Sequence, residues 1–265
     1  MGTSLRSNKY FLVVIIVLTA LNLWPGTAIA ENNAADFPFQ PGEKLVYLLK
    51  WGLIPAGCAE LTILPSQEIN DEMTWRFQFT ARTNSFVDVF FKVRDYIESK
   101  NDAGLRNSLS YKKNQHEGST KRKILIEFSP EKHLMQYTKN GKKADPALIP
   151  PGTLDPLASF YYVRRHLSKV GQNIDRPVTD GKTITIGRAK VLKREKIMVG
   201  DRQYDTFLVE PDLKNVGGVF EKNTDSKIQL WITTDQRRLL VRVQSKVVIG
   251  SFTADLVEYE NLTGS

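Results

Sequence analysis

The residues best suited to chemistry in this chain are three closely spaced carboxylate pairs. They are Asp95 with Glu98, Glu210 with Asp212, and Glu258 with Glu260. Cleavage of a glycosidic bond needs two carboxyl groups that face each other across a cleft. Residues two apart on a strand share a face, so Glu258 and Glu260 can be neighbours. Lys and Arg are abundant on the adjacent predicted strands, which favours ordinary cross-strand ion pairs over a hydrolytic site.

The three histidines, His116, His133 and His166, are too far apart in sequence to indicate a metal site. A zinc site needs clustered His and Cys ligands, and Cys58 is the single cysteine. We expect its thiol to be buried and inert. The chain has no Gly-x-Ser-x-Gly elbow and no Gly-rich phosphate loop, although a serine triad assembled in space stays open. We therefore predict no catalytic residue, no metal and no cofactor, and expect a protein that is not an enzyme.

Positive charge is concentrated in one stretch of the chain. The formal net charge is +8, and the stretch from Lys112 to Lys143 holds nine basic and three acidic residues. The candidates for contact with an anionic surface are Lys112, Lys113, Lys121, Arg122 and Lys123. Such a patch can face anionic lipid headgroups, although it is usually only a solvated hairpin. Nucleic acid is not an expected partner, because the chain is predicted to be exported and lacks interleaved aromatic residues here.

The first 30 residues have the pattern of a secretory signal peptide. Arg6 and Lys9 form a basic region, residues 11–21 form an apolar core, and Ala28-Ile29-Ala30 supplies small residues for cleavage. The apolar run is shorter than the roughly 20 residues that span a membrane. We therefore predict export to the periplasm by a cleavable signal peptide, with residues 31–265 forming a single β-rich domain.

One helix is predicted in the middle of the chain, from Asp155 to about Leu167. Asp155 suits the N-cap, and Pro156 suits the first helical position, which needs no amide donor. The apolar positions recur at helical spacing: Leu157, Phe160, Tyr161 and Leu167. Basic residues that suit the helix dipole lie near the C-terminal end: Arg164, Arg165 and His166. A helix with this much apolar surface must be covered by the surrounding strands.

Most other segments have the alternation of β-strands. The clearest places Trp75, Phe77, Phe79 and Ala81 on one face, with polar residues between them. Residues 183–186 and 191–199 are read as separate strands, and residues 52–57 as a turn. Phe86 to Phe91 is too uniformly apolar to alternate, and reads as a helical turn or a loop folded onto the sheet.

Together these patterns predict about a dozen short strands, joined locally and therefore antiparallel. A sheet of this size must curl or split. We predict a mainly β fold, in which a strongly curved antiparallel sheet or open β-barrel surrounds one central helix. A two-sheet sandwich with the helix at one end is the alternative.

The concave face of such a sheet is predicted to carry many aromatic residues. They are Trp51, Trp75, Phe77, Phe79, Phe86, Phe90, Phe91, Phe160 and Tyr161. Space lined in this way would hold an acyl chain, since ligand pockets are mostly apolar and aromatic. A dry and fully packed core is the other interpretation.

Several segments, taken in order, resemble the exported bacterial proteins grouped as domain of unknown function 3108. They are Trp51-Gly52-Leu53-Ile54-Pro55-Ala56-Gly57, Val93-Arg94-Asp95-Tyr96-Ile97-Glu98-Ser99, Asp155-Pro156-Leu157-Ala158-Ser159-Phe160-Tyr161-Tyr162, Tyr204-Asp205-Thr206-Phe207-Leu208-Val209-Glu210-Pro211 and Leu239-Leu240-Val241-Arg242-Val243. The resemblance covers about residues 43–260. It implies a periplasmic address and a layout similar to the open barrels of periplasmic lipoprotein and lipid carriers, and it supplies no catalytic residues.

These features favour a non-enzymatic periplasmic protein that binds or carries an amphiphile, such as a lipid or a lipidated protein. The aromatic face would hold the apolar part, and the basic hairpins would meet an anionic membrane surface. Two alternatives stay open. One is an interaction scaffold in envelope biogenesis that uses exposed strand edges, and the other is a hydrolase of envelope glycans.

Overall fold

A single antiparallel sheet of fifteen strands dominates the computed structural model, which describes residues 37–69, 72–212, 228–246 and 251–261. The predicted signal peptide lies outside these residues. The strands are β1 Glu43–Trp51, β2 Ile54–Ile69, β3 Glu72–Thr83, β4 Arg94–Asn101, β5 Ser108–Glu117, β6 Thr120–Ser129, β7 Leu134–Lys139, β8 Lys142–Lys143, β9 Ala147–Leu148, β10 Asn173–Thr179, β11 Ile184–Val199, β12 Arg202–Pro211, β13 Ile228–Thr233, β14 Leu240–Lys246 and β15 Ser251–Asn261. The helices are α1 Ser85–Asp88 and α2 Pro156–His166, with a 3-10 turn at Pro130–Lys132.

The strands follow one path that starts in the second half of the chain. The order runs from β10 to β15 and then from β1 to β8, so that β1 pairs with β15. The sheet is not closed by strand pairing, but the segment that leads into α2 lies between its two ends. In that segment β9 pairs with β7, and Leu154 forms an isolated bridge with Val178 of β10. The predicted mainly β, strongly curved antiparallel sheet is confirmed, and the described strands form one sheet rather than a sandwich of two.

The two ends of the curved sheet differ. At the first, named the open end, lie the β1–β2 turn, α1, the β5–β6 turn, the β7–β8 turn and the β10–β11 turn. At the second, named the helix end, lie Glu43 and the β13–β14 turn. Arg164 of α2 hydrogen-bonds to Glu43 and to the carbonyl groups of Arg237 and Arg238, which fixes the C-terminal part of α2 at the helix end.

The predicted helix and its N-cap are confirmed. The Asp155 carboxylate accepts hydrogen bonds from the amides of Leu157 (2.9 Å) and Ala158 (3.0 Å), as an N-cap residue should. It also accepts 2.6 Å bonds from the hydroxyl groups of Ser99 and Ser108. Burial raises the pKa of Asp155, and the bonds from Ser108, Ser99 and the two amides oppose that rise. The capping residue therefore also ties α2 to β4 and β5.

Aromatic packing holds α2 in the concave side of the sheet. Tyr161 stacks on Phe77 of β3 with ring centroids 3.8 Å apart, and both side chains are fully buried. Phe39 meets Tyr161 edge to face at 5.1 Å and Trp75 at 5.2 Å. An 11-residue helix is marginal on its own in water, so these tertiary contacts supply most of its stability.

Two predicted strand boundaries were wrong. Residues 183–199 are not two strands, because β11 runs without interruption through Gly187, with a bulge only between Val191 and Lys193. Gly187 serves close packing instead of a turn, since a Cβ there would lie 2.9 Å from Val178 Cγ2. The turn predicted at residues 52–57 is shorter than expected, because Ile54 already pairs with Trp51.

Candidate functional site

An apolar cavity, named the open-end pocket, lies at the open end of the described structure. Its volume is about 690 Å³. One wall comes from the inner faces of β14, β15, β1 and β2, and α1 with the residues after it covers the other side. The lining residues are Leu49, Trp51, Ile54, Ala56, Arg82, Thr83, Phe86, Val87, Phe90, Phe91, Val93, Val243, Ser245, Phe252, Thr253 and Ala254.

Strand register and residue size explain why this end is hollow. Leu49 pairs with Ala254 and Trp51 pairs with Phe252, so these four side chains line one stretch of wall. The Trp51 and Phe252 rings are nearly parallel, with centroids 6.4 Å apart. Ala254 and Ala56 leave space between the larger side chains, whereas the helix end is filled by α2.

A network of polar contacts holds α1 over this pocket. Asn84 caps the helix by accepting a 2.9 Å hydrogen bond from the Val87 amide. The Asp88 carboxylate pairs with Arg94 and also accepts from the Thr83 hydroxyl. These hydrogen bonds from Arg94 and Thr83 lower the pKa of Asp88. The result is a fixed, short helical turn, which confirms the first of the two interpretations of the Phe86–Phe91 stretch.

A second apolar cavity of about 420 Å³, named the inner pocket, lies between α2 and strands β10 to β14. Leu157 and Phe160 of α2 line it, together with Ile174 and Leu230. Val243 belongs to the walls of both cavities. The two cavities are therefore adjacent, with Val243 in the wall between them.

The structure separates the predicted aromatic residues into two environments. Trp51, Phe86, Phe90 and Phe91 line the open-end pocket, and Phe160 lines the inner pocket. Trp75, Phe77 and Tyr161 pack with one another and with Phe39 at the helix end, and Phe79 is partly buried against the same core. They do not form one continuous concave face, because α2 and the chain before β1 fill half of it.

The predicted basic residues also divide between two faces of the β5–β6 hairpin. Cross-strand pairing puts Lys112, Lys121 and Lys123 on the outer face. Tyr111 is buried on the inner face of the hairpin. Lys113 is two cross-strand pairs away from Tyr111 and Arg122 is four pairs away, so both side chains lie on that same inner face. The charge is therefore presented on both sides of one sheet edge at the open end.

A polar groove on this hairpin, named the basic groove, has a volume of about 720 Å³. It is lined by Arg94, Asn114, Gln115, His116, Lys121, Arg122, Lys123, Asn140 and Gly141. The hairpin turn touches the segment after α1, because the Gly118 amide donates a 2.8 Å bond to the Lys92 carbonyl. A Cβ at Gly118 would lie 2.8 Å from the Phe91 ring. The basic groove and the open-end pocket are therefore neighbours.

Ser245 is a pocket residue that sequence reasoning missed. Its hydroxyl is buried, lines the open-end pocket and has no hydrogen-bond partner in the described part of the chain. Buried polar groups usually have partners, so this hydroxyl is available to a polar group of a ligand. The available signal was the alternation of Val241 and Val243, which places Ser245 on the same inner face.

The three carboxylate pairs lie in different surroundings, and Asp212 of the Glu210–Asp212 pair lines the inner pocket. Glu98 pairs with Arg76 at 3.1 Å and lies on the opposite face of β4 from Asp95. Glu258 and Glu260 share an outward face, where the pKa of Glu258 is raised because its protonated carboxyl group can donate a hydrogen bond to the Glu260 carboxylate. Glu260 also lies 3.7 Å from Lys44. Within residues 37–69, 72–212, 228–246 and 251–261, no group of three His, Cys, Asp or Glu could hold a metal. No described helix is long and apolar enough to cross a bilayer.

The expected burial of the Cys58 thiol is only partly met. Cys58 is partly buried, and its sulfur accepts a 3.1 Å hydrogen bond from Arg82 Nε. Both residues lie near the open end, and Arg82 also lines the pocket. The thiol is thus in polar surroundings on the sheet and is not a core residue.

Three solved bacterial structures are similar to this chain to different degrees. A β-barrel-like protein of domain of unknown function DUF1849 from Brucella abortus superposes with a TM-score of 0.51 at 10% identity, covering 84% of this chain and 98% of that one. A candidate exported protein with a YmcC-like fold from Bacteroides fragilis gives 0.38 at 8% identity, with 84% and 98% covered. A candidate lipoprotein from Parabacteroides distasonis gives 0.34 at 10% identity, with 84% and 97% covered. At these identities the first likeness concerns the fold alone.

No curated protein matches the chain at a significant level. One family model does match, and it extends over residues 46–257, from β1 into β15. That range contains both cavities, α1, α2 and the basic groove. The chain therefore belongs to the family described as protein of unknown function (DUF3108).

Proposed function

We propose that this protein binds the apolar part of an amphiphile, a lipid or a lipidated protein, in the open-end pocket, and carries it within the cell envelope without catalysing a reaction. The observation that carries the proposal is the open-end pocket itself. It is an apolar cavity of about 690 Å³ that opens between exposed aromatic side chains.

The size and lining of the two cavities suit an acyl chain. Pockets for small molecules usually measure about 300–1,000 Å³ and are lined mainly by apolar and aromatic groups. The open-end pocket falls in this range, and the inner pocket adds about 420 Å³ beyond Val243. An acyl chain that enters beside Trp51 would meet mainly apolar side chains, and charged residues such as Arg176 and Arg188 also line the inner pocket.

The surroundings also suit the polar end of such a ligand. The Ser245 hydroxyl has an unused hydrogen-bonding position at the pocket wall. The basic groove lies next to the entrance and presents Lys121 and Lys123. An anionic headgroup held outside the pocket would be within the influence of these side chains.

Trp51 provides a direct test, because it lines the pocket and Trp75 does not. A Trp75→Phe/Trp231→Phe variant leaves Trp51 as the reporter in residues 31–265. We expect saturable quenching of its fluorescence by a fatty acid that is brominated on its chain. The matched control is Trp51→Phe/Trp231→Phe, which reports from Trp75 at the helix end and should be quenched little. No quenching of Trp51, or equal quenching of both reporters, would contradict the proposal.

Blocking the cavity gives a second test. Val243→Phe fills the wall shared by both pockets, so we expect it to weaken binding of the brominated fatty acid at least tenfold. The control is Val257→Phe, which adds the same group at a side chain that is 61% exposed. Native mass spectrometry of the protein from its own periplasm should find a bound lipid in the wild type and in Val257→Phe, and less in Val243→Phe.

A further inference from the structure

We propose that the open end docks on the surface of a bilayer that contains anionic lipid, with the side chains around the pocket entrance inserted among the headgroups. The inference concerns a surface and goes beyond ligand binding in the pocket. It rests on exposed apolar residues, their place at loop tips, and the charge beside them.

The first observation is a cluster of exposed apolar side chains around the entrance, named the rim. Its exposed fractions are 96% for Leu53, 49% for Ile54, 61% for Phe86, 78% for Val89 and 77% for Phe90. Exposed apolar groups that are scattered singly need no explanation, whereas a contiguous set marks an interaction site. The rim residues come from the β1–β2 turn, the first residue of β2, α1 and the two residues after α1. Ile54, Phe86 and Phe90 also line the open-end pocket.

The rim also has the geometry of an inserted surface. Leu53 follows Gly52, whose φ of +58° makes the tight turn that presents Leu53 at its tip. Val89 and Phe90 follow directly after α1, which its polar contacts with Thr83 and Arg94 hold in place. Apolar side chains at protruding tips can enter the headgroup region while the strands below stay in water. Trp51, just inside the rim, is a residue type that favours the membrane–water boundary.

The second observation is positive charge on the same end. Lys92 follows the rim, and Lys121, Arg122 and Lys123 are exposed on the neighbouring β5–β6 hairpin, with Lys142 and Lys143 exposed beyond the next turn. In the described part of the chain none of these six forms an ion pair with a carboxylate. Acidic groups also lie at this end, and one of them, Asp88 beside the rim, is paired with Arg94.

Charge complementarity favours an anionic bilayer as the binding partner of the open end. Basic residues that surround an apolar tip are attracted by anionic headgroups, and the apolar tip gains by leaving water. A soluble acidic protein would satisfy the lysines but would leave Leu53 and Phe90 without a matching surface unless it were also apolar there. A bilayer supplies both contacts at once, and it places the pocket entrance against the source of an acyl chain.

The test is co-sedimentation of the mature protein with phosphatidylcholine vesicles, with and without phosphatidylglycerol. We expect binding that requires phosphatidylglycerol and weakens with added salt. Leu53→Ser and Phe90→Ser should each weaken it by about tenfold. Lys121→Gln and Lys123→Gln should each weaken it by about fivefold at low salt. The proposal would be overturned if the wild type failed to bind the vesicles, or if the affinity for vesicles were unchanged by these four substitutions.

Controls at the helix end distinguish docking through the rim from non-specific adsorption to vesicles. Met198→Ser removes an apolar side chain that is 51% exposed, and Lys132→Gln removes an exposed charge within the 3-10 turn. Neither should change vesicle binding, and an effect equal to that of the rim variants would count against a specific surface. A fluorophore that reports polarity, placed by Leu53→Cys in a Cys58→Ser background, should shift to the blue on vesicles, whereas one placed by Met198→Cys should not.

The two proposals can fail separately. Val243→Phe blocks the pocket and leaves the rim intact, so it should retain vesicle binding. Leu53→Ser leaves the pocket wall intact, so it should retain binding of the brominated fatty acid in solution. Vesicle binding lost in Val243→Phe would show that the bound ligand, and not the rim, makes the contact with the bilayer, which would overturn the docking surface.

Discussion

At the scale of single residues, buried charges and not exposed ones organise this protein. Asp255 of β15 is only 5% exposed, and it receives hydrogen bonds from Lys50 of β1 (3.1 Å) and from Arg242 of β14. It therefore joins three adjacent strands on the outer face, behind the wall of the open-end pocket. Exposed pairs such as Asp175 with Arg188 contribute much less, since water and salt screen them.

A pH prediction follows for Asp255. Burial alone would raise its pKa, but the hydrogen bonds from Arg242 and Lys50 hold it below its usual value. The ionised carboxylate therefore stabilises the folded protein at pH values above about 3.9, which is the pKa of Asp in the unfolded chain. This stabilisation is lost as the pH falls through the lower pKa that Asp255 has in the folded protein. Asp255→Asn should lower the free energy of unfolding near neutral pH, and the difference from the wild type should shrink as the solution is acidified.

Urea unfolding at a series of pH values checks this expectation. Asp175→Asn is the matched control, because it removes a carboxylate from an exposed Arg pair and should cost less than about 1 kcal/mol. If the free energy of unfolding of Asp255→Asn stays below that of the wild type by the same amount down to acid pH, then packing, and not the ionised carboxylate, is responsible.

At the scale of elements, α2 is attached to the sheet at both ends by buried polar groups. Asp155 binds Ser99 and Ser108 at one end. At the other, Arg164 donates to Glu43 at 2.6 and 3.1 Å, and neither side chain is exposed by more than 3%. The helix is thereby fixed beside the inner pocket, whose size depends on its position.

This attachment predicts that mutations of Glu43 and Arg164 have non-additive effects on the free energy of unfolding. Glu43→Leu or Arg164→Met alone should lower the free energy of unfolding by about 3–5 kcal/mol, because each leaves an uncompensated buried charge. The double variant Glu43→Leu/Arg164→Met should recover part of that loss, since an apolar pair of similar volume needs no partner. Chemical unfolding of the three variants measures the coupling, and strictly additive losses would contradict it.

Much of the element structure was predictable from local patterns, whereas the division of the predicted aromatic residues between pocket and core was not. The N-cap at Asp155 and the alternation of Trp75, Phe77 and Phe79 are local signals, and both were confirmed. Arg164 was interpreted as a residue for the helix dipole, because its partner Glu43 is 121 positions away. The aromatic residues divide between core and pocket because Phe39 packs against Tyr161, a contact that no periodicity indicates.

At the scale of the whole molecule, the open sheet is held together by packing where strand pairing stops. The β10–β11 turn lies against β7, and Gly181 in that turn has a φ of +91°. A Cβ on Gly181 would lie only 2.2 Å from Tyr137 Cδ2. The two ends of the strand path are therefore in contact, and a glycine makes that contact possible.

Gly181→Ala should open this contact. We expect it to cost about 1–3 kcal/mol more than Gly141→Ala, because overlap with Tyr137 adds to the backbone strain that both share. Gly141 is a close control, since its φ is +80° and a Cβ there would meet nothing within 4 Å. Thermal unfolding checks the difference, and hydrogen exchange should show faster opening of β7 and β10 in Gly181→Ala alone.

The pairing of β1 with β15 has a consequence for how the chain is made. Glu43 lies opposite Asn261, so one edge of β1 can form its backbone hydrogen bonds only after β15 has been made. Until then a row of backbone amides and carbonyls stays bare, and such edges recruit other unfinished chains. We therefore expect a nascent molecule to be prone to association with other incomplete chains until β15 is made, and a copy truncated before β15 to be a substrate for chaperones and proteases.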